Sequence, residues 1–268
     1  MTDAQYTHGH QAPVLRSHRW RTAENSAAYL LPSLRPGDRV LDVGCGPGTI
    51  TLDLARLVAP GEVLGIDPSA EVIGQAAETA TDSVRFEVGD VFAHRGAYDV
   101  VHAHQVLQHL ADPVGALVAM RGLTRPGGLV AVRDADYEAF SWYPAEPRLD
   151  RWLAVYREVA RRNHGEPDAG RYLIAWAHAA GFTEVRASAS AWCFADPEDR
   201  AWWSDTWAAR ISDSTLSARA IELGLADQAE LDDLAEGWRQ WAADDDAWFA
   251  VLHGEIIVTV SDSSSGAR

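Results

Sequence analysis

The chain has 268 residues, 47% of them hydrophobic and 23% charged. That balance fits a folded protein with one large core and excludes an extended disordered chain. The 39 acidic residues outnumber 23 basic ones, all arginine, and a net charge of −16 opposes phosphate backbones and anionic membranes, so no nucleic-acid partner is expected.

Cys45 and Cys193 are the only cysteines, too few and too distant for a disulfide framework or a paired-cysteine metal knuckle. The opening residues carry Asp3, His8, His10 and His18, with no apolar stretch resembling a secretory signal. No apolar run reaches the ~18 residues of a membrane helix. An intracellular, cytoplasmic protein without a membrane span is expected.

Residues 1–35 read as an N-terminal helical segment, in which Ser26–Leu31 leads into Pro32. From Arg39 to Arg133, short apolar runs alternate with helical patterns. Val40–Val43, Val63–Ile66, Val84–Val88, Val100–Ala103 and Leu129–Val132 predict strands. They are near-continuous in Val, Ile and Leu, as parallel strands buried on both faces require. Thr49–Val58 and Pro113–Leu123 place apolar residues at helical spacing. Pro36-Gly37 and Pro126-Gly127-Gly128 mark turns before the first and fifth strands. This repetition predicts right-handed crossovers, and hence an α/β, doubly wound, mostly parallel sheet.

The pattern then changes. Glu146–Arg162 predicts a helix with Leu149, Trp152, Leu153, Tyr156 and Val159 on one face. Gly170–Ala180 predicts a second, ended by Gly181. Thr183–Ala191 alternates like a strand, residues 197–243 are mostly helical, and Glu255–Val260 predicts a final strand. The expected organisation is one structural domain: residues 1–35 closing over a bound cofactor, a binding core over 36–137, and helical cap insertions with the last strands over 138–268. Ten of the 11 tryptophans follow residue 140. They serve either the core of the cap or an apolar pocket for an organic substrate.

The strongest local signal is Val40-Leu41-Asp42-Val43-Gly44-Cys45-Gly46-Pro47-Gly48-Thr49, which closes the first strand and opens the first helix. Glycines there permit a tight turn and close approach to a ligand. The spacing is GxGxG, not the GxGxxG of dinucleotide sites. Asp42 at the strand end disfavours a pyrophosphate and favours a cation, since two unit charges at ~4 Å interact by about 4 kcal/mol at an effective dielectric near 20. Pro47 removes a backbone N–H that a phosphate would use. The second signal is Asp67 in Gly65-Ile66-Asp67-Pro68-Ser69, placed to accept from both hydroxyls of a ribose. The third is Asp90 in Val88-Gly89-Asp90-Val91, placed to accept from an adenine amine while Val91 donates its N–H to the ring. Each acid alone suits a turn. Together, at the carboxyl ends of neighbouring strands, they point to a nucleoside ligand with positive charge and no phosphate.

These residues resemble the class I S-adenosylmethionine-dependent methyltransferases. VLDVGCGPGT is similar to their first motif, GIDPS to the acid that follows it and GDV to the adenine turn. Tyr98-Asp99-Val100-Val101 and Arg125-Pro126-Gly127-Gly128 are similar to the later motifs. His104-Gln105-Val106-Leu107-Gln108-His109-Leu110 resembles a segment of the ubiquinone and menaquinone biosynthesis group, with Gln108-His109 where those often carry two histidines. The resemblance implies a seven-stranded Rossmann-like sheet with an antiparallel last strand, and S-adenosyl-L-methionine as cofactor. It implies Asp42 near the methionine amino group, and Gly44, Cys45 and Gly46 under the cofactor. Asp67 and Pro68 fall at the ribose, Asp90 and Val91 at the adenine, and His104 and Gln105 beside the methionine part. Tyr6, Trp20 and Arg21 are candidates to close over it: an aromatic face holds a sulfonium by about 0.5–2 kcal/mol, and arginine suits a carboxylate. Alternatively, Trp20 and Arg21 only pack the first helix.

Methyl transfer from a sulfonium is a direct displacement whose reactive carbon comes with the cofactor. The expected acceptor is a small organic molecule: a quinol, a phenol or another natural-product-like metabolite. A base is needed only if the acceptor is protonated. His104, His109, Asp136 and Tyr137 are candidates. His109 is the first choice as catalytic residue, because it follows the fourth strand on the substrate side and an imidazole titrates near neutrality. Its alternative role is to hold the loop. No metal is expected, since no carboxylate or cysteine completes a set around His8 and His10 or His102 and His104. Gly165-Glu166-Pro167-Asp168-Ala169-Gly170-Arg171 reads either as an edge of the active site or, preferably, as a helix start capped by Asp168, and Asp244-Asp245-Asp246 as a solvated turn. Two other readings stand beside methyl transfer: a cofactor-binding sensor or scaffold without activity, and a nicotinamide oxidoreductase, which Asp42 and the glycine spacing oppose. Oligomeric state is left open, a homodimer included.

Overall fold

The computed structural model describes residues 20–261. The first half runs α1 (Ala23–Ser26), a 3₁₀ turn (Leu31–Ser33), β1 (Arg39–Val43), α2 (Thr49–Val58), β2 (Glu62–Asp67), α3 (Ala70–Ala77), β3 (Val84–Val88), β4 (Tyr98–His104), a 3₁₀ turn (Leu107–His109), α4 (Pro113–Leu123) and β5 (Thr124–Ala135). The second half adds β6 (Ser141–Tyr143), α5 (Pro147–Arg162), α6 (Leu173–Ala179), β7 (Val185–Phe194), α7 (Pro197–Ser212), α8 (Thr215–Glu222), α9 (Gln228–Ala242) and β8 (Trp248–Thr259).

The sheet order is β3-β2-β1-β4-β5-β8-β7, with β1 to β5 parallel and β8 antiparallel to both neighbours. β5 pairs with residues 253–259 of β8, and β6 with residues 248–250. β6 therefore continues the row of β5, and the sheet is seven strands wide although it holds eight strands. The seven-strand expectation holds for the width; the short β6 is an addition to it.

Helix starts follow local chemistry. Asp112 and Ser69 cap α4 and α3 by accepting from Gly115 N and Val72 N. Two segments differ from expectation. Thr22 and Asn25 form a reciprocal capping box, so α1 starts at Ala23 and ends at Ser26, and a separate 3₁₀ turn contains Pro32. The predicted helix Gly170–Ala180 divides into a 3₁₀ turn (Ala169–Tyr172) and α6, followed by Gly181 at φ +86°. Asp168 is not the expected side-chain cap there. Its Oδ2 binds Arg157 at 2.7 Å and Arg161 at 2.6 Å, and its Oδ1 accepts from Glu138 N.

The two sheet faces pack separately. Leu41, Val43, Val101, Val130, Val132, Ile256 and Val258 share one face with α4 and α6. Val40, Val63, Val100, Ala131 and Ile257 share the other with α2 and with Ala23, Ala27 and Leu30. A third core lies in the cap, where Trp152 meets Trp207 at 4.5 Å and Trp238 at 4.7 Å, both edge-to-face. Among the described residues, no helix is long and apolar enough to cross a membrane.

Candidate active site

A cavity opens at the carboxyl ends of β1, β2 and β4. It is lined by Asp42 through Pro47, by Asp67 and Pro68, by Gly89 to Val91, by His104 to Val106, and by Arg21, His109 and Leu110. Eleven separate sequence expectations thus meet in one place: Asp42, Gly44, Cys45, Gly46, Asp67, Pro68, Asp90, Val91, His104, Gln105 and Arg21. His109 also lines it. Tyr6 lies outside the described residues.

The glycine loop is bonded inward. Gly44 N and Cys45 N both donate to Ile66 O, at 2.7 and 3.0 Å. Gly46 N donates to Asp67 Oδ2 at 3.2 Å, and Gly48 N to Cys45 O at 3.1 Å. With Pro47 lacking an N–H, these amides are already committed, which removes the donor nest a phosphate needs. Two glycines are required here. Gly44 sits at φ +66°, and a Cβ on it would lie 2.5 Å from Val106 Cγ2; Gly48 sits at φ +84°, and a Cβ would lie 2.5 Å from Phe86 Cζ.

The acids are held by different means. Asp42 is buried, with Oδ1 2.8 Å from His102 Nδ1 and Oδ2 accepting from Thr51 Oγ1 at 2.6 Å. Both oxygens therefore have protein partners. The pair follows from register, because Asp42 faces His102 across β1 and β4. Asp67 is fixed at the end of β2 by Gly46 N and by Ser69 N at 2.9 Å. Asp90 is exposed and accepts from Phe92 N at 2.7 Å. The Cys45 thiol is pushed up by burial and by Asp42 and Asp67, and so stays protonated.

Beyond β4 the chain turns sharply. Gln105 sits at φ +53°, an uncommon conformation for a residue with a side chain. Its Oε1 accepts from Arg21 at 2.7 Å, and its Nε2 donates to His253 Nε2 at 2.8 Å. His253 Nδ1 faces Val251 O at 3.0 Å, which assigns the proton to Nδ1 and leaves Nε2 as acceptor. His104 is buried against His253 and Trp192, and neither ring nitrogen has a hydrogen-bond partner within the described residues. Burial first, then Arg133 and Arg21, hold it well below the usual histidine range.

Several expectations are corrected. His109 does not titrate near neutrality: burial, Arg21 and Arg210 push it down to about 3, and its Nε2 accepts from Gln108 at 3.0 Å. Trp20 does not line the cavity; it packs at 5.1 Å from Trp192 and 5.4 Å from Phe194 and Trp202. Asp136 is clamped by Arg171 through two 2.7 Å bonds, and Tyr137 stacks on Tyr156 in the cap core. Eight of the ten tryptophans after residue 140 belong to or pack on that core, Trp176 packs on the sheet core and Trp248 is exposed, and none lines the cavity. Sequence reading missed Asp134, whose Oδ1 accepts from Gln108 N and caps the turn at Leu107–His109. Burial raises it to about 7. Its position between Arg133 and Ala135 in a strand gave no signal.

Among the described residues, no three His, Cys, Asp or Glu side chains are grouped to hold a metal ion. Residues 34–178 match a family model described as a methyltransferase domain. The chain is 36% identical over 269 residues to an uncharacterized methyltransferase of Schizosaccharomyces pombe, covering 94% of this chain and 95% of that one. It is 38% identical over 144 residues to a ubiquinone biosynthesis O-methyltransferase of Cronobacter sakazakii, covering 51% and 56%. The solved YcgJ protein of Bacillus subtilis superposes with a TM-score of 0.60 at 16% identity, covering 90% of this chain and 100% of that one.

Proposed function

The chain belongs to the methyltransferase domain family, an S-adenosylmethionine-dependent family, and from that premise we propose that it methylates a small organic acceptor: a quinol, a phenol or another natural-product-like metabolite. The O-methyltransferase named among its relatives supports an acceptor of this kind. The observation that carries the donor assignment is the loop whose amides are spent inward while Asp42, Asp67 and Asp90 line the adjoining strand ends. Such a rim suits an adenosine bearing positive charge and rejects a pyrophosphate.

The residues fit that donor. Gly44 and Gly46 bring bare backbone to the cavity, and His104 offers two unpartnered nitrogens beside it. When bound, S-adenosylmethionine supplies a methyl group on a sulfonium, an electrophile that needs no metal. Asp67 and Pro68 hold the ribose, Asp90 and Val91 the adenine, and Asp42 and Gln105 lie toward the methionine end. Arg21 reaches the cavity from the N-terminal segment and braces Gln105. The chain's task is alignment of acceptor and donor, which can supply about 7–11 kcal/mol of a barrier.

Calorimetry with S-adenosylmethionine, S-adenosylhomocysteine and NAD tests the donor. Asp67→Ala is expected to weaken the first two at least tenfold, about 1.4 kcal/mol; an unchanged affinity removes Asp67 from the ribose. Turnover with quinols, phenols and amines tests transfer. Tight donor binding with no methylated product from any of them would favour a sensor or scaffold.

A further inference from the structure

We infer, on the donor reading above, that His253 is a positioning residue for the methyl donor: from outside the cavity, and through Gln105, it aims the Arg21 guanidinium at the donor's carboxylate.

The hydrogen bonds that link these residues have one possible direction. An arginine only donates, so the oxygen of the Gln105 amide must face it, and Oε1 accepts from Arg21 Nη2 at 2.7 Å. The other end of the amide then points to β8, where Gln105 Nε2 donates to His253 Nε2 at 2.8 Å. A backbone carbonyl only accepts, so the imidazole proton sits on Nδ1, 3.0 Å from Val251 O. With the other tautomer, two N–H groups would face each other at Gln105 and two lone pairs at Val251. Burial, then Arg133, hold His253 well below the usual histidine range, so its Nε2 stays an acceptor.

Packing fixes each member of the chain. His253 is fully buried and does not line the cavity. Its ring lies 4.5 Å from Trp192 and 5.9 Å from His104, centroid to centroid. Trp192 comes from β7, two residues beyond the Ser190 that pairs with His253, and the Arg21 guanidinium lies 5.6 Å from the centroid of the same indole. Gln105, at φ +53°, holds a conformation that persists where surroundings over-determine it. Its partners on both sides do so. Gln105 and Arg21 both line the cavity. A guanidinium is a rigid planar fork, so fixing Nη2 and one face sets the direction of the whole group. The carboxylate of S-adenosylmethionine is the anion that such a fork fits. His253 therefore serves the amino acid part of the donor and not its adenosine.

The test is calorimetry on the full chain at neutral pH with two ligands, S-adenosylhomocysteine and methylthioadenosine. The second keeps the adenosine and the sulfur but lacks the amino acid. His253→Asn keeps an amide near the Nδ1 position and leaves nothing where Nε2 stood, whereas His253→Gln reaches that place with an acceptor. His253→Asn should weaken S-adenosylhomocysteine about tenfold and leave methylthioadenosine within about twofold, which also shows that the variant folds. His253→Gln should stay within about threefold of wild type for both ligands. In an Arg21→Ala background His253→Asn should cost nothing further, because both act through one guanidinium. Nitrogen NMR of the wild-type protein with S-adenosylhomocysteine gives a readout that needs no stable Asn variant. The histidine signal missing from His253→Gln should carry its proton on Nδ1. A proton on Nε2 overturns the inference. So does wild-type protein that binds the two ligands equally, a His253→Asn variant that weakens neither or both alike, an equal loss in His253→Gln, or losses that add to those of Arg21→Ala. Wild-type protein that binds neither ligand overturns the donor reading instead.

Discussion

The two faces of the central sheet are made by the same strands, yet they differ in kind. On one face Leu41, Val101, Val130, Val132 and Ile256 pack against α4 and α6. On the other, Val40, Val100, Ala131 and Ile257 are apolar only along the amino-terminal half of the parallel strands. Asp42, His102, His104, Arg133, Glu255 and His253 occupy the carboxyl-terminal half of that face in matching register. Period-2 alternation in stretches such as Val101-His102-Ala103-His104 and Val132-Arg133 sends alternate residues to the two faces. One face supplies burial. The other carries a polar layer in which Arg133 pairs with Glu255 and Asp42 with His102, and of which Asp42 and His104 line the cavity. Stability and site therefore share strands without sharing side chains.

The sharpest way to break this contrast is to put a charge on the apolar face. Val130→Asp would bury a carboxylate with no cationic partner, and a loss of more than about 4 kcal/mol is expected in urea unfolding. Unchanged stability would mean that the apolar face is not a core. Next comes the pair Arg133 and Glu255, 3.2 Å apart and almost fully buried. Arg133→Met strands the Glu255 charge and should cost about 3–5 kcal/mol, whereas Arg133→Met with Glu255→Leu should recover most of that loss. If the double variant is as unstable as the single one, the polar layer contributes more than mutual compensation. Thr51→Val removes the hydrogen bond to buried Asp42, and a cost of about 1.5–3 kcal/mol is expected in thermal unfolding.

The smallest effect concerns Asp134, which brings a carboxylate onto the apolar face. Its folded value, about 7, lies above its unfolded one. The folded state thus holds the proton more tightly, and stability present below pH 4 is lost as pH rises toward 7. Asp134→Asn keeps the acceptor for Gln108 N and cannot ionise. Relative to wild type it should gain about 1–2 kcal/mol on going from pH 5 to pH 8. The buried imidazoles His104, His109 and His253 act in the opposite direction, but they are common to both proteins and cancel in the comparison. A variant whose pH profile parallels that of wild type would show that Asp134 is ionised in the fold.

Much of the binding half was legible. The turn at Gly44–Gly48 and the acids at three strand ends are short-range patterns, and α2, α4 and β3 match their predicted limits. The role of His109 was not legible, because a histidine's proton affinity depends on which guanidiniums fold against it, and Arg21 and Arg210 lie about 90 and 100 positions away in the chain. Trp20 looked like a cofactor cover because an aromatic residue beside an arginine suits that task. Its true neighbours, Trp192, Phe194 and Trp202, come from β7 and α7. α3 has only eight residues, and β6 only three, too few for their periodicity to stand out.

By itself the sequence determined the alternation of strands and helices, the glycine turn and the order of the acids, since these depend on residue type and near-neighbour spacing. Tertiary structure alone decided which carboxylates were already engaged, which imidazole was left with two unbonded nitrogens, and which histidines stay neutral. Those properties are set by burial and by charges brought together from distant parts of the chain, and no local pattern encodes them.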